Sequence, residues 1–264
     1  MGEIDQHPLN PDVRLQIVRA TYWFTKHWLS AFIIIFGLYN TLPFLAPVMM
    51  RFEWSSFGNI IYDLYSTQCH QMAQRSFFLF GEQPMYDSNE LPLTLTGNLS
   101  SDTLALRNFR GNETLGWKVA WSDRMVYMYG GLWVFSVLYS VAARTRLAKP
   151  ISIWLFIALL LPLALDGTTH LLSDINGLTS GFRYDNRWLA AMTNDRLPAA
   201  FYQGDALGSF NSLIRFITGV LFAVGIGGLL LPFLDQEMRH HKAALMRKLR
   251  RHDLRTGSAV EVSM

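Results

Sequence analysis

The chain has 264 residues, of which 50% are hydrophobic, 14% aromatic and only 16% charged. Soluble domains carry about 25% charged residues, so this composition argues against an ordinary soluble enzyme and excludes a disordered chain. The net charge is a modest +3, and the single cysteine, Cys69, excludes an intrachain disulfide framework and a cysteine-only zinc site.

Residues 1–22 are polar and contain prolines. They lack the pattern of a cleavable signal peptide and read as a cytoplasmic N-terminal segment. The first apolar run, 23–48, carries Lys26 and His27 near its start and Pro43 and Pro47 near its end, and is expected to act as an uncleaved anchor. In segment 54–81, Ile61, Leu64, Tyr65 and Met72 recur at helical intervals. This segment must start and end on the same side, so an interfacial or re-entrant helix is expected. A loop rich in Asn, Asp, Ser, Thr and Gly follows at 82–120.

The second run, 125–143, has no charge. The third, 151–172, has Asp166 and His170 as its only ionisable groups, with Pro162 one turn before Asp166. A second polar loop covers 174–210. The fourth run, 216–234, is again uncharged, and its Gly219, Ala223 and Gly227 form a small-residue stripe suited to close helix packing. Each run is about long enough to cross ~30 Å of hydrocarbon as a helix. Trp23, Trp28, Tyr127, Tyr129, Trp133 and Trp154 lie near the run ends, as interfacial aromatics do. The expected fold is an all-α membrane protein: four transmembrane helices and an interfacial helix within a membrane domain at 23–235, followed by a basic tail at 236–264.

Basic residues set the expected orientation. Arg14, Arg19, Lys26, Arg144, Arg146, Lys149 and the tail put 13 of the 23 Lys and Arg on one side with seven acidic residues, leaving 10 basic and 13 acidic on the other. The net charges are +6 and −3. Both termini are thus expected in the cytoplasm of a multi-pass protein of the inner (plasma) membrane, with the two long loops outside. The basic tail reads as a helix against anionic lipid, and no nucleic-acid partner is expected.

Ionisable groups at membrane depth are costly and are functional candidates. Asp166 and His170 share one helix face. Asp123 and Arg124 stand at the entrance of the second span, and Asn211 and Arg215 near that of the fourth. Segment 54–81 adds Cys69, His70, Arg75 and Ser76. Four separated segments thus bring polar groups to one depth on the exterior side. His70, Asp123, Asp166 and His170, with Cys69 as an alternative ligand, suit a divalent ion such as zinc. Arg75, Arg124 and Arg215, with Ser76 and Asn211, suit a phosphate or carboxylate, because guanidinium forks match those groups. The competing reading is internal pairing, since Asp63, Asp123 and Asp166 balance the three arginines. In an enzymatic version, His70 or His170 would be the general base.

The run from Tyr62 through Cys69-His70-Gln71, then Arg75-Ser76-Phe77-Phe78, resembles the signature of a prokaryotic membrane family known as domain of unknown function 2085. Arg124, Tyr129 and Gly131 fit its second element, Asp166-Gly167 its third, and Asn211, Arg215, Thr218 and Gly219 its fourth, over roughly residues 35–235. Ser122 and Met125 stand where that family has cysteines, so a thiolate metal site does not carry over. His170 stands near an expected Gln, and the two long loops look like insertions. The resemblance implies a multi-span membrane protein with a shared polar site and brings no activity with it. The expectation is a site at the outer interface for a metal ion or an anionic headgroup. The alternative is an accessory subunit of a larger membrane complex, docked through the two long loops.

Overall fold

A computed structural model of the chain describes residues 10–142 and 149–256. The expected basic residues Arg144 and Arg146, and the outer parts of both terminal segments, lie outside the described residues.

Helix α1 runs from Pro11 to Arg51. The Asn10 side chain accepts a hydrogen bond from the Asp12 N–H, and Pro11 occupies the first turn, where its missing N–H costs nothing. The helix runs through Pro43 and Pro47 and ends one turn beyond Pro47. The chain then reverses, and α2 (Ser55–Tyr65) packs back on α1. Gly58 permits this approach: a Cβ there would lie 2.8 Å from Met50 Sδ. One face of α2 buries Tyr62 and Tyr65, while Phe57, Ile60 and Leu64 are exposed on another.

The expected helix over 54–81 therefore stops at Tyr65. Beyond it come a turn, a short 3-10 segment (Ala73–Arg75) and strand β1 (Ser76–Leu79). The physical reason is pairing: the Phe77-Phe78-Leu79 run joins a sheet, and sheet contacts override helical spacing. The 82–120 region also has structure. Its α3 (Leu99–Asn108) is capped by the Asn98 side chain, and β2 (Gly111–Asn112) and β3 (Gly116–Ser122) follow. The three strands form an antiparallel sheet in the order β1-β3-β2, with Ser76 opposite Ser122, Phe78 opposite Lys118 and Gly111 opposite Trp117. The fold is thus mainly helical rather than all-α.

The remaining helices are α4 (Asp123–Ala142), α5 (Ile153–Ile175), three short ones (α6, Phe182–Asp185; α7, Arg187–Thr193; α8, Ala199–Tyr202) within the expected second loop, and α9 (Phe210–Thr256). α4 contains a π-helical turn at Val126–Gly130. The tail expected from residue 236 continues α9 without a break. α1, α4, α5 and α9 are long and apolar enough to cross a membrane, and only 11–44% of the most apolar window of each is buried within the chain. Ile34, Ile35 and Leu38 of α1, Leu138 of α4 and Leu161 and Leu165 of α5 are exposed. Such outward apolar flanks suit lipid and not water.

The small-residue stripe packs inside the bundle. A Cβ on Gly219 would lie 2.6 Å from Tyr127 Cβ, one on Gly131 would lie 3.0 Å from Ala223 Cβ, and one on Gly227 would strike the Phe135 ring. Two apolar clusters support the sheet end: Ala46, Tyr62, Tyr65, Val119, Ala120 and Trp121 join it to α1 and α2, and Met72, Phe78, Tyr86, Leu91, Leu106 and Leu178 fill the cap above the helices.

Candidate functional site

The site forms at the cap end of the bundle, where α4 starts, α5 ends and α9 starts. Asp123 begins α4, directly after β3. Asp166, His170 and Asp174 follow one another at four-residue intervals on α5, so they share a face. Arg215 lies in the second turn of α9.

Arg215 is 1% exposed and each of its three side-chain nitrogens is hydrogen-bonded. Its Nε bonds both oxygens of Asp123, at 2.9 and 2.8 Å, and its Nη groups bond Asp205 Oδ1 and the Asp205 carbonyl. Arg75 grips Asp174 with two bonds of 2.8 Å and gives its Nε to Asp205 Oδ2 at 2.7 Å. Arg183 bonds Asp166 Oδ1 at 2.8 Å, Thr169 Oγ1 at 3.0 Å and Asn211 Oδ1 at 3.2 Å. Four carboxylates and three guanidiniums are therefore paired in two groups, Asp123–Arg215–Asp205–Arg75–Asp174 and Asp166–Arg183. Burial alone would raise the pKa of Asp205, but Arg75 and Arg215 outweigh it and hold the carboxyl well below the usual range.

Arg124 is the exception. Among the described residues its side chain makes one hydrogen bond, from Nη2 to Asp166 Oδ2 at 2.6 Å, and it is 23% exposed. It faces a half-open cavity of about 440 Å³, whose walls include Cys69, His70, Arg75, Asp123, His170 and Asp174. His70 is exposed on this wall. His170 is buried, with Nδ1 3.3 Å from Asp166 and Nε2 3.5 Å from Asp205, contacts that fall short of hydrogen-bond geometry.

The Cys69–Gln71 wall is itself braced. Cys69 Sγ accepts from the Gln71 and Ser122 N–H groups at 3.3 and 3.4 Å. Gln71 takes the left-handed φ of 52° and donates its side-chain amide to the Tyr62 carbonyl. Lys118 Nζ, fully buried under the sheet, donates to the carbonyls of Gln71, Arg107 and Leu106 at 2.6, 2.7 and 3.4 Å. Burial pushes the Lys118 pKa down to about 7.

Most of the expected site residues meet here. The cavity walls include Cys69, His70, Arg75, Asp123, Arg124, His170 and Arg215, and Asp166 lies behind Arg124. Ser76 and Asn211 do not line the cavity. Ser76 donates to the Met72 carbonyl, and Asn211 ties the Arg183 and Gly204 carbonyls together. Asp63, one of the three aspartates expected to balance Arg75, Arg124 and Arg215, pairs instead with Arg110. The metal expectation meets an obstacle: no group of three His, Cys, Asp or Glu side chains is placed to hold an ion among the described residues. Asp123 and Asp166 are already neutralised by arginines. Sequence reasoning missed Asp174, Arg183, Asp205 and Lys118. Asp174 carried a signal, one turn beyond His170. Arg183 and Asp205 sit in the second long loop without any periodic pattern.

Among known proteins, an uncharacterized protein of Methanocaldococcus jannaschii is 28% identical over 171 residues, covering 60% of this chain and 87% of that protein. No solved structure matches the chain. With its four apolar helices and inward-facing charges the chain is a membrane protein, and its residues 107–229, which hold Arg124, Asp166, Asn211 and Arg215, match the sequence profile of the family described as "Predicted membrane protein (DUF2085)", the one its motifs resemble.

Proposed function

We propose that the charged cavity binds an anionic group, the phosphate or carboxylate of a lipid headgroup or of a free small molecule. The observation that carries this reading is the contrast within the arginine set. Every side-chain nitrogen of Arg75, Arg183 and Arg215 bonds a protein acceptor, whereas Arg124 bonds through Nη2 alone and presents its other nitrogens to a cavity of about 440 Å³. A guanidinium anchored on one side by Asp166 is oriented in advance, so little side-chain entropy remains to be lost on binding. His70 on the same wall supplies a second donor. A metal ion is the weaker reading, because the carboxylates that would hold it are bound to arginines.

The basic bias of the opposite end supports placing the cap on the exterior side of the plasma membrane, with both termini in the cytoplasm. The exposed Phe57, Ile60 and Leu64 face of α2 supports an interfacial position for that helix. The cavity then opens at headgroup level.

The test compares purified wild type with Arg124→Gln. Each is titrated with dioctanoyl phosphatidylglycerol, with glycerol 3-phosphate and with the zwitterionic dioctanoyl phosphatidylcholine. Charge-assisted hydrogen bonds contribute about 1.5–3 kcal/mol, so the variant should bind the preferred anion about 10–100-fold more weakly. Preference for the lipid identifies a headgroup site, and preference for glycerol 3-phosphate a soluble ligand. Equal affinity of wild type and variant for both anions would overturn the proposal.

A further inference from the structure

A second cavity lies on another side of the first turns of α4 and shares no wall residue with the charged one. It has a volume of about 460 Å³ and lies between α1, α4 and α9, with β3 at one end. Its walls are almost wholly apolar, formed by residues such as Phe44, Trp133 and Val134. Val134, Phe216 and Val220 also line it and are 50%, 47% and 38% exposed on the flank of the bundle, so its mouth faces sideways, toward lipid.

Thr41 and Trp133 of the wall donate to the Gly37 and Ile33 carbonyls, but two other polar residues of the wall carry unpartnered atoms. Asn40 is buried. Its Nδ2 donates to the Phe36 carbonyl at 2.7 Å, but its Oδ1 has no hydrogen-bond partner. Trp121 is 0% exposed, and its indole Nε1–H has no partner either. Both residues line this cavity. Buried polar groups are nearly always paired, so an orphaned acceptor and an orphaned donor around one apolar space call for explanation. Local backbone points the same way. The π-helical turn at Val126–Gly130 forms one side of the cavity, and such turns concentrate at functional sites. At Gly130 a Cβ would meet nothing within 4 Å, so the helix leaves space there that an ordinary side chain would fill.

We propose that this cavity is a lateral binding site for a neutral lipid whose polar end is a hydroxyl. The apolar walls select a hydrocarbon body, and the volume falls in the usual range for small-molecule pockets, about 300–1,000 Å³. The walls carry no carboxylate, guanidinium or ammonium, which selects an uncharged head. A hydroxyl is both donor and acceptor, so it matches this unpaired set of an indole N–H and a carboxamide oxygen. A ketone, quinone or ester carbonyl satisfies the indole alone and leaves the carboxamide oxygen unpaired. The site therefore prefers an alcohol over a carbonyl or ether of the same length.

The test uses the full chain in phosphatidylcholine nanodiscs, with dodecan-1-ol, dodecyl methyl ether and dodecane as probes. Thermal unfolding gives apparent affinities and native mass spectrometry counts bound molecules. The alcohol should raise the melting temperature saturably at one molecule per chain. The ether should bind at least about tenfold more weakly, and dodecane weaker still. Gly130→Leu fills the space and should abolish the alcohol-dependent shift while melting near the wild-type temperature. Asn40→Leu keeps the cavity but removes the acceptor, and should erase the preference for alcohol over ether. That second variant decides the matter if Gly130→Leu does not fold. Equal shifts from all three probes on wild type, or an alcohol preference that survives Asn40→Leu, would overturn the proposal.

Discussion

The two cavities flank the same few residues at the start of α4, yet their polar groups are arranged in opposite ways. Around the charged cavity nearly every donor and acceptor already has a partner within the chain. Asp123, Asp166, Asp174 and Asp205 are each held by at least one arginine, and among the arginines of the described residues in this network Arg124 is the one that turns unused donors to the cavity, beside His70 and the unbonded ring of His170. The apolar cavity is the reverse: no charged groups in its wall, and two polar ones, Asn40 Oδ1 and Trp121 Nε1, buried without partners. A charged network near a bilayer must be closed to be tolerated, because each unpaired charge there is expensive. A closed network joins helices rigidly but binds nothing except where it is left open. The difference separates side chains that hold the fold from those that face a ligand.

Breaking the closed network should have the largest effect. Arg215→Met leaves Asp123 and Asp205 without their shared cation and should cost about 3–5 kcal/mol, read as a large drop in melting temperature in detergent. Gly219→Ala forces α9 away from Tyr127, and overpacking of this kind costs about 1–3 kcal/mol in the same assay. Lys118→Met strips three buried carbonyls of their donor and should cost about 1–3 kcal/mol, read as faster hydrogen exchange in β3 while the four long helices stay protected.

Lys118 also predicts a pH dependence. Its folded pKa, about 7, lies below the ordinary 10.5. Between those values the unfolded chain holds one more proton than the folded chain, so cap stability should rise as pH rises through this window. Lys118→Met should remove that slope. Arg124→Gln should have the smallest effect on stability, less than about 1 kcal/mol, because its one ion pair is partly exposed and Asp166 retains Arg183. A melting loss as large as that of Arg215→Met would place Arg124 inside the closed network.

The long apolar helices were legible because lipid imposes a length and a composition on any segment that faces it. α1 could be located, but not its end at Arg51, because prolines that usually stop a helix are accommodated within it. The sheet was not legible. Ile61, Leu64, Tyr65 and Met72 keep a helical rhythm across the turn after Tyr65, and the run from Phe77 to Phe80 fits a buried helix or a strand equally well until its partner, β3, is known. In the site, Asp123, Arg124, Asp166 and Arg215 were legible as charges placed beside apolar spans. Arg183 and Asp205 reach the site only because Asn186 and Asn211 bond the backbone of the second long loop and fix its path. Lys118 looks like any exposed lysine of a hairpin until the strand is seen to be covered on that face. The unpaired state of Asn40 and Trp121 exists only in three dimensions and leaves no mark on spacing.

The central claim, that Arg124 is the open position of an otherwise closed charge network, is tested most directly by isothermal titration of wild type and Arg124→Gln with dioctanoyl phosphatidylglycerol and glycerol 3-phosphate at low salt. The account predicts saturable binding of one of these anions to wild type, weakened at least about tenfold in the variant with little change in melting temperature. Binding of equal strength in both proteins, or of neither anion to wild type, would contradict it.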